Sequence, residues 1–527
     1  MSLTSVWFFV FCAALLIVYY AVPGRFRWMV LLAASAVFYC WGGVKSALYI
    51  LITAASTYGA ALWMHAIARK QKAFVKANKD TLSREERAAL KERSRRRRRA
   101  VMALTLVLNF GILCVFKYAH FALAQASALA QAFGGGPVKD SLNLIVPLGI
   151  SFYTFQTMGY LIDVYWERYE PERNFFRLAL FVSFFPQITQ GPISDFSYLR
   201  GELFTPHPFT YENYSRGFQR LLTGYFKKLV LADLLAPYVA DVFANYTQYA
   251  GITVAIGAVC YSVQIYADFS GYMDIVCGLC EMLGIRLTEN FNRPYFSKSV
   301  AEYWRRWHIS LGAWFKAYLY YPIGVSKWNR RLGKRAQERL GKTFGQTVSA
   351  SVALVAVWLV TGLWHGASWA YIVWGLVNGL FIIASLWLEP VYDRTKKALR
   401  IREDAWLWRA FQTLRTFALV TLIKVLPEVG TLRDGLGLWK RIFTNFTVPT
   451  SLRELLPFAG ERSEVLLIAV GTLALFVGSL LQRKKPVRDY FARIPAPVRV
   501  ILLALFALAI VYLGSGGQHG GFLYAQF

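Results

Sequence analysis

The chain has 527 residues, of which 56% are hydrophobic and 16% aromatic, and its mean hydropathy is +0.37. A single soluble domain is less apolar than this, so the composition predicts a membrane protein with many spans. The net charge of +29 would suit a nucleic-acid-binding protein, but the basic residues are concentrated beside apolar stretches, as membrane topology requires. We therefore expect no nucleic-acid partner.

Apolar stretches suited to spanning or membrane-embedded helices recur along the whole chain, and none shows the alternating pattern of an outer-membrane barrel. The prediction is an all-α, polytopic membrane helical bundle formed by a single domain, 1–527. The predicted helices cover residues 5–22, 28–43, 46–68, 101–122, 143–165, 175–190, 215–243, 250–267, 270–284, 304–323, 347–365, 368–388, 409–426, 463–481 and 498–514.

A basic segment, residues 69–99, follows the third predicted span. It holds fourteen Lys or Arg against four acids, and the positive-inside rule makes it a cytoplasmic loop that can also contact anionic lipid. Three spans before it place the N-terminus outside. A second basic hinge at Arg483–Arg488 is likewise predicted to be cytoplasmic, so the last span carries the tail 515–527 outside as well.

The six cysteines all lie in apolar stretches. Cys277 and Cys280 form a C-x-x-C pair, but they lie in an apolar helical window without partner His or Cys pairs. Buried small side chains explain them better than a metal or redox site, so we expect no metal.

Residues 268–388 differ from the rest because charged side chains crowd into segments rich in Trp, Tyr and Phe. Charges survive within a membrane when they pair or line a wet cavity. Within this region the apolar run from Val348 to Val377 carries no acidic or basic side chain except His365. An ionisable group in hydrocarbon tends to mark a pathway or a reaction centre, so His365 is the leading candidate for chemistry.

The signature region resembles the membrane-bound O-acyltransferase family, in the bacterial branch that includes alginate O-acetyltransferase and the D-alanyl transfer protein of teichoic acid. The core strings are QIYADFSGYMDIVCGLCEMLGIRLTENFNRPYFSKSVAEYWRRWHISLGAWF and TGLWHGASWAYIVWGLVNGL. Further matches are SVWFFVFCAALLIVYY, FKYAHF, VPLGISFYTFQTMGYLIDVYW, FPQITQGPI and the terminal GFLYAQF. The resemblance covers essentially the whole chain.

The resemblance implies a helical bundle pierced by a through-membrane tunnel, in the bacterial inner membrane. The acyl donor is a cytoplasmic thioester, from acetyl-CoA or an acyl carrier protein, and no cofactor is permanently bound. The acceptor side involves an extracytoplasmic polysaccharide or an esterase-like (SGNH) partner. The histidine of GLWHG is the family's catalytic residue, which assigns that role to His365, and the histidine of RRWHIS assigns a second tunnel position to His308.

The chemistry agrees with these residue types independently. Acyl transfer from a thioester to a hydroxyl needs a base and a group that stabilises the developing oxyanion, and a neutral imidazole can act as the base. His308 either orients the reacting groups or hydrogen-bonds the carbonyl, two roles that the sequence does not separate, or it serves only packing and proton balance. The predicted substrate-binding neighbours are Asn292 and Arg293 at the cytoplasmic mouth, together with Trp304, Arg305, Trp307 and Trp364.

The tail matches a family motif of form F-x-Y-x-x-F at Phe522, Tyr524 and Phe527. The resemblance makes Tyr524 a candidate nucleophile that carries the acyl group between donor and acceptor. One departure concerns the W-F-[RK]-D-Y motif, where Ala317 replaces the aspartate; Glu302 or Asp268 would then balance the local positive charge.

Two other functions remain open from the sequence. A secondary transporter or glycan flippase would also be a bundle with buried charge, although no inverted repeat is evident. A lipid O-acyltransferase of the same superfamily would share the core and differ in the acceptor.

Overall fold

The structure is a computed structural model that describes residues 1–142, 144, 146–457, 462–514 and 521–522. These residues are predominantly helical, and their β-structure is confined to an isolated antiparallel bridge between Phe291 and Trp307. The predicted all-α fold is confirmed. The chain divides into two compact units, Met1–Tyr214 with Cys280–Thr288, and Ser215–Leu279 with Glu289–Phe527.

The first unit begins with long apolar helices and ends with short ones. The helices are α1 (Val6–Ala21), α2 (Arg27–Cys40), α3 (Val44–Ala77), α4 (Arg84–Ala132), α5 (Ile150–Tyr165), α6 (Phe175–Ser183), α7 (Phe185–Ile188) and α8 (Phe196–Phe204).

The basic segment is helical rather than a loop, apart from residues 78–83. A capping box starts α4: the Ser83 hydroxyl accepts from the Glu86 amide at 3.1 Å, and the Glu86 carboxylate accepts from the Ser83 amide at 2.8 Å. This pairing gives hydrogen-bond acceptors to two backbone amides that would otherwise lack them at the start of a helix. Glu92 then pairs with Arg95 and Arg96 one turn later, so the basic segment continues two membrane helices beyond their apolar parts.

The second unit contains most of α9 (Tyr211–Tyr225) and most of α11 (Gly251–Met282). Its other helices are α10 (Asp233–Ala244), α12 (Val300–Arg306), α13 (Ile309–Phe315), α14 (Tyr321–Gly324), α15 (Lys327–Leu340), α16 (Lys342–His365), α17 (Trp369–Trp387), α18 (Glu389–Ala398), α19 (Trp406–Lys424), α20 (Leu432–Thr444), α21 (Leu452–Leu455), α22 (Arg462–Leu481), α23 (Val487–Phe491) and α24 (Ala496–Gly514). Two π-helical segments, Phe226–Ala232 and Lys316–Tyr320, join α9 to α10 and α13 to α14.

Seven helices in the described part of the chain are long and apolar enough to cross a membrane, namely α3, α4, α11, α16, α17, α22 and α24. The protein is therefore a multi-pass membrane protein. Two predicted helices, 250–267 and 270–284, are one continuous helix, α11. The predicted span 304–323 is wrong, since it breaks into α12, α13, a π-helical turn and α14.

Candidate active site

The hairpin of α16 and α17 presents His365 at the point where the chain turns. His365 is the last residue of α16, and the Ser368 hydroxyl caps α17 by accepting from the Tyr371 amide at 3.4 Å. The two helices are in close contact because Gly375 lies directly against the backbone of α16, where a Cβ atom would collide with the Trp358 carbonyl. The glycines of the GLWHG and VWGLVNGL strings thus allow the approach that fixes His365.

Aromatic rings enclose the His365 imidazole, which is only 5% exposed. Trp364 and Trp374 meet it edge-on with ring centroids 4.8 Å away, and Tyr371 stacks nearly parallel to it at 6.4 Å. The ring is therefore held in a defined orientation in apolar surroundings.

His308 is positioned by a pair of antiparallel segments. The Asn292 amide donates to the Arg306 carbonyl at 3.0 Å, and the Ile309 amide donates to the Asn290 carbonyl at 3.1 Å. His308 itself has φ 49° and ψ 53° at the start of α13, a left-handed conformation that is uncommon for a residue with a side chain. The pairing forces this turn, which breaks the predicted span.

Asn290 stabilises that turn, and the sequence analysis did not assign it a role. Its side-chain oxygen accepts from the Ser310 amide at 2.9 Å, and Asn290 is 2% exposed. An Asn oxygen that accepts from an open amide at a helix start is the usual capping device. The sequence signal was the asparagine in LTENFN, eighteen residues before His308.

The His308 ring is 1% exposed and meets the edges of two aromatic rings, Phe269 at 5.0 Å and Trp364 at 5.9 Å. The Trp364 indole therefore contacts both His308 and His365. The structure thus places Trp364 between two histidines that are 57 residues apart in the chain.

Burial lowers the pKa of His308 to about 3. Its imidazole is then neutral at physiological pH, with one ring nitrogen as donor and the other as acceptor. Such a ring can accept a proton or donate a hydrogen bond to a carbonyl oxygen.

Trp304 and Trp307 lie behind the histidines. The Trp304 indole donates to the Asn378 side chain at 3.0 Å and packs against Trp374, which contacts His365. Trp307 is 2% exposed and packs edge-on against Phe291 at 5.0 Å. Trp304 and Trp307 thus pack against the aromatic residues around the two histidines.

The remaining predicted binding residues are at the surface or near it. Asn292 and Arg305 are exposed, and Arg293 is half-buried, with its guanidinium 3.5 Å from the Ser479 carbonyl. No contact between these three side chains and either imidazole is present in the described structure. Tyr524 lies outside the described residues.

Lys424 is a buried lysine that the sequence analysis missed. Its ammonium donates to the Tyr295 hydroxyl at 2.7 Å and lies 4.0 Å from the Trp307 ring centroid. Tyr303 also faces it at 5.2 Å. The available signal was a lysine at the end of the apolar stretch 409–426, the same kind of signal that identified His365.

A buried charge cluster, formed by Lys228, Asp233 and Asp268, receives the described part of the tail. Lys228 bonds Asp233 at 2.7 Å and Asp268 at 2.9 Å. Its ammonium also donates to the Gly521 carbonyl at 3.2 Å and lies 4.7 Å from the centroid of the Phe522 ring. Phe522 is 5% exposed, so the chain beyond α24 returns to the core of this unit.

The acidic residues proposed to balance local positive charge do pair with cations. Asp268 pairs with Lys228, while Glu302 pairs with Arg306 at 2.6 Å. Asp274 forms ion pairs with Arg220 at 3.0 Å and Lys227 at 2.6 Å.

Comparison with known proteins gives one family. The family model described as MBOAT, membrane-bound O-acyltransferase family, matches residues 172–422, which include both histidines. The chain is 34% identical to "Probable alginate O-acetylase AlgI" of Azotobacter vinelandii over 72% of this chain and 67% of that one. It is 30% identical to the protein of the same name from Pseudomonas putida over 99% of both chains. It is also 33% identical to "Peptidoglycan O-acetyltransferase" of Helicobacter pylori over 54% of each.

Proposed function

The chain belongs to the membrane-bound O-acyltransferase family and is an acyltransferase, and from this we propose that it moves an acetyl group from a cytoplasmic thioester to hydroxyl groups of a polysaccharide outside the inner membrane. The observation that best supports this proposal is that two histidines contact the same indole, that of Trp364, inside the region that matches the family model. The alginate O-acetylase likeness extends over 99% of both chains, which supports acetyl as the group and a polysaccharide as the acceptor.

In the proposed reaction His365 is the base. It takes the proton of the attacking hydroxyl as the oxygen bonds to the thioester carbonyl carbon, and the carbonyl becomes an oxyanion. His308, neutral because it is buried, donates a hydrogen bond to that oxyanion. When the carbon–sulfur bond breaks, the thiolate leaves and receives the proton from His365. Both imidazoles therefore end the cycle neutral.

Substrates need a path to these rings. His308 and His365 are 1% and 5% exposed, so side chains around them must move to open the proposed tunnel. Trp364 is the side chain that contacts both imidazoles, and its displacement would give access to both at once. The donor enters from the cytoplasmic side, to which the basic segment 69–99 is assigned by its charge.

The tail supports a two-step version of the transfer. Tyr524 attacks the donor first, and the acyl-tyrosine then passes the group to an external acceptor, directly or through an esterase-like partner. Phe522, two residues before Tyr524 in the sequence, is buried and lies against the Lys228 ammonium. Both termini are external in this topology.

The test uses membranes that contain the full chain, isotopically labelled acetyl-CoA and the envelope polysaccharide of the host. His365→Ala should lower transfer to the polymer by at least about 100-fold, since a positioned base contributes about that much or more. His120→Ala is the matched control, because the His120 imidazole pairs with Asp140 at an exposed position. Unchanged transfer by normally expressed His365→Ala would refute the catalytic role.

The same membranes distinguish the acceptor and the relay. Mass spectrometry of the C-terminal peptide should show a labelled acyl adduct on Tyr524 that Tyr524→Phe and His365→Ala abolish. Polymer acetylation that survives Tyr524→Phe would refute the relay and leave direct transfer. Label recovered in lipid instead of polymer would contradict the polysaccharide acceptor and favour a lipid O-acyltransferase.

A further inference from the structure

Three arginines from separate segments meet beside the His308 turn. Arg306, the last residue of α12, has a guanidinium nitrogen 3.5 Å from the Arg293 carbonyl. Arg293 in turn has a guanidinium nitrogen 3.5 Å from the carbonyl of Ser479, in the last turn of α22, and Arg483 follows that helix directly. We call Arg293, Arg306 and Arg483 the arginine cluster.

The cluster holds more positive charge than its surroundings neutralise. Glu302 pairs with Arg306 at 2.6 Å, whereas Arg293 and Arg483 have no carboxylate partner within the part of the chain that the structure describes. Burial, and then the positive charges of Arg306 and Arg483, lower the pKa of the Arg293 guanidinium. Arginine remains protonated at neutral pH even so, so the cluster attracts an anion.

The backbone at Arg293 is also unusual. Arg293 has φ 46° and ψ 59°, in the left-handed region that favours glycine. Among the described residues, four non-glycine residues have positive φ, and Arg293 and His308 are two of them. Both lie in the antiparallel pair of segments, where the Asn292 amide bonds the Arg306 carbonyl. Strained residues that the fold holds in place occur at functional sites.

We propose that the arginine cluster is a binding site for a phosphate group. A guanidinium presents two parallel N–H groups that match phosphate oxygens, and two or more such forks give a specific site. Arg306 is two residues from His308, so the same backbone segment holds both the phosphate and an imidazole. The Arg483 hinge is assigned to the cytoplasmic face by its charge, the face from which the donor is proposed to come.

Two molecules can supply this phosphate. The first is the thioester donor, since coenzyme A and phosphopantetheine both carry phosphate; this assignment rests on the proposed function. The second is the headgroup of an anionic lipid, which basic sites at the cytoplasmic surface attract.

The donor arm titrates coenzyme A into the purified full chain in neutral detergent by calorimetry. Arg483→Gln is the first variant, because the Arg483 side chain is exposed and forms no hydrogen bond with the described residues. Arg293→Gln is the second, with Arg293→Lys to retain the charge. We expect the dissociation constant to rise about tenfold for each glutamine variant and less for Arg293→Lys. Arg433→Gln is the control, since Arg433 is an exposed arginine of α20 that pairs with no carboxylate among the described residues, and it should bind as the parent does.

The lipid arm compares the chain in vesicles of phosphatidylcholine with and without phosphatidylglycerol. A phosphatidylglycerol-dependent gain in thermal stability that Arg483→Gln and Arg293→Gln remove would assign the phosphate to a lipid headgroup. Weakened coenzyme A binding without that change would assign it to the donor. If neither measurement separates these variants from Arg433→Gln, the phosphate site is refuted. Neither arm measures acyl transfer, so coenzyme A that binds without acetyl transfer would refute the proposed function and leave this inference standing.

Discussion

Replacing Lys228 with methionine tests whether buried charge holds the tail in the core. The Lys228 side chain is 2% exposed, and its two carboxylate partners, Asp233 and Asp268, are 5% and 1% exposed. Although burial opposes the charged form, Asp268 and Asp233 raise the pKa of Lys228 above its usual value. The ammonium is therefore present at neutral pH, and methionine fills a similar volume without it.

The expected cost follows from these contacts. Removing one partner of a buried ion pair leaves the other charge uncompensated and costs about 3–5 kcal/mol. The contact with the Phe522 ring, at 4.7 Å, adds about 1–2 kcal/mol if it is well desolvated. Lys228→Met should thus lower the free energy of unfolding by about 4–7 kcal/mol. Adding Asp268→Asn should restore part of it, since one unpaired carboxylate is removed.

Denaturation in mixed detergent micelles measures the stability, and carboxypeptidase digestion followed by intact mass measures the tail. Digestion should stop before Phe522 in the parent and proceed past it in Lys228→Met. Phe522→Leu should show the digestion change with a smaller loss of stability, because the two carboxylates keep their lysine. Lys485→Met, at an exposed lysine, is the control. A Lys228→Met protein within about 1 kcal/mol of the parent would refute the argument from buried charge.

Two further predictions concern the His308 turn. Asn290→Ala leaves the buried Ser310 amide without its acceptor, which should lower the free energy of unfolding by about 1–3 kcal/mol and reduce the rate of acyl transfer. Asn290→Asp keeps an acceptor oxygen and should recover much of both the stability and the rate. An Asn290→Ala enzyme of normal stability and rate would contradict the capping role. The second is pH dependence. Burial lowers the pKa of folded His308 to about 3 from 6.5, so as the pH falls below 6.5 only the unfolded chain takes up this proton. Between pH 7.5 and 5.5 the parent should lose about 1.4 kcal/mol of unfolding free energy that His308→Gln does not lose; equal slopes for the two proteins would show that the ring is not kept neutral.

The long apolar helices could be predicted from the sequence because hydropathy is local. The predicted spans 463–481 and 498–514 agree with α22 and α24 to within two residues at each end. The error at α11 has a physical cause. The predicted break falls at Asp268, whose carboxylate Lys228 neutralises at 2.9 Å, so the helix continues through that position.

The break at His308 could not be predicted in the same way. Residues 304–323 are apolar and aromatic enough for a span, and no periodicity shows that one residue adopts a left-handed conformation. That conformation depends on the pairing with residues 290–292, which precede α12 in the sequence and are not part of the predicted span. A capping asparagine is a recognisable signal only when the helix that it caps is known.

Charge in an apolar stretch does not by itself separate reactive groups from structural ones. His365, Lys228 and Lys424 all carry an ionisable group in apolar surroundings, and the energetic cost of burial applies to each. The contacts of each side chain distinguish these groups. Lys228 pairs with two carboxylates, one of them 40 residues away in the chain. Lys424 donates to a phenol hydroxyl 129 residues away and lies over three aromatic rings. His365 lies instead against the indole that also contacts His308. Lys228 and Lys424 are thus each held by partners of their own, whereas the two imidazoles lie on one indole within the region that matches the family model.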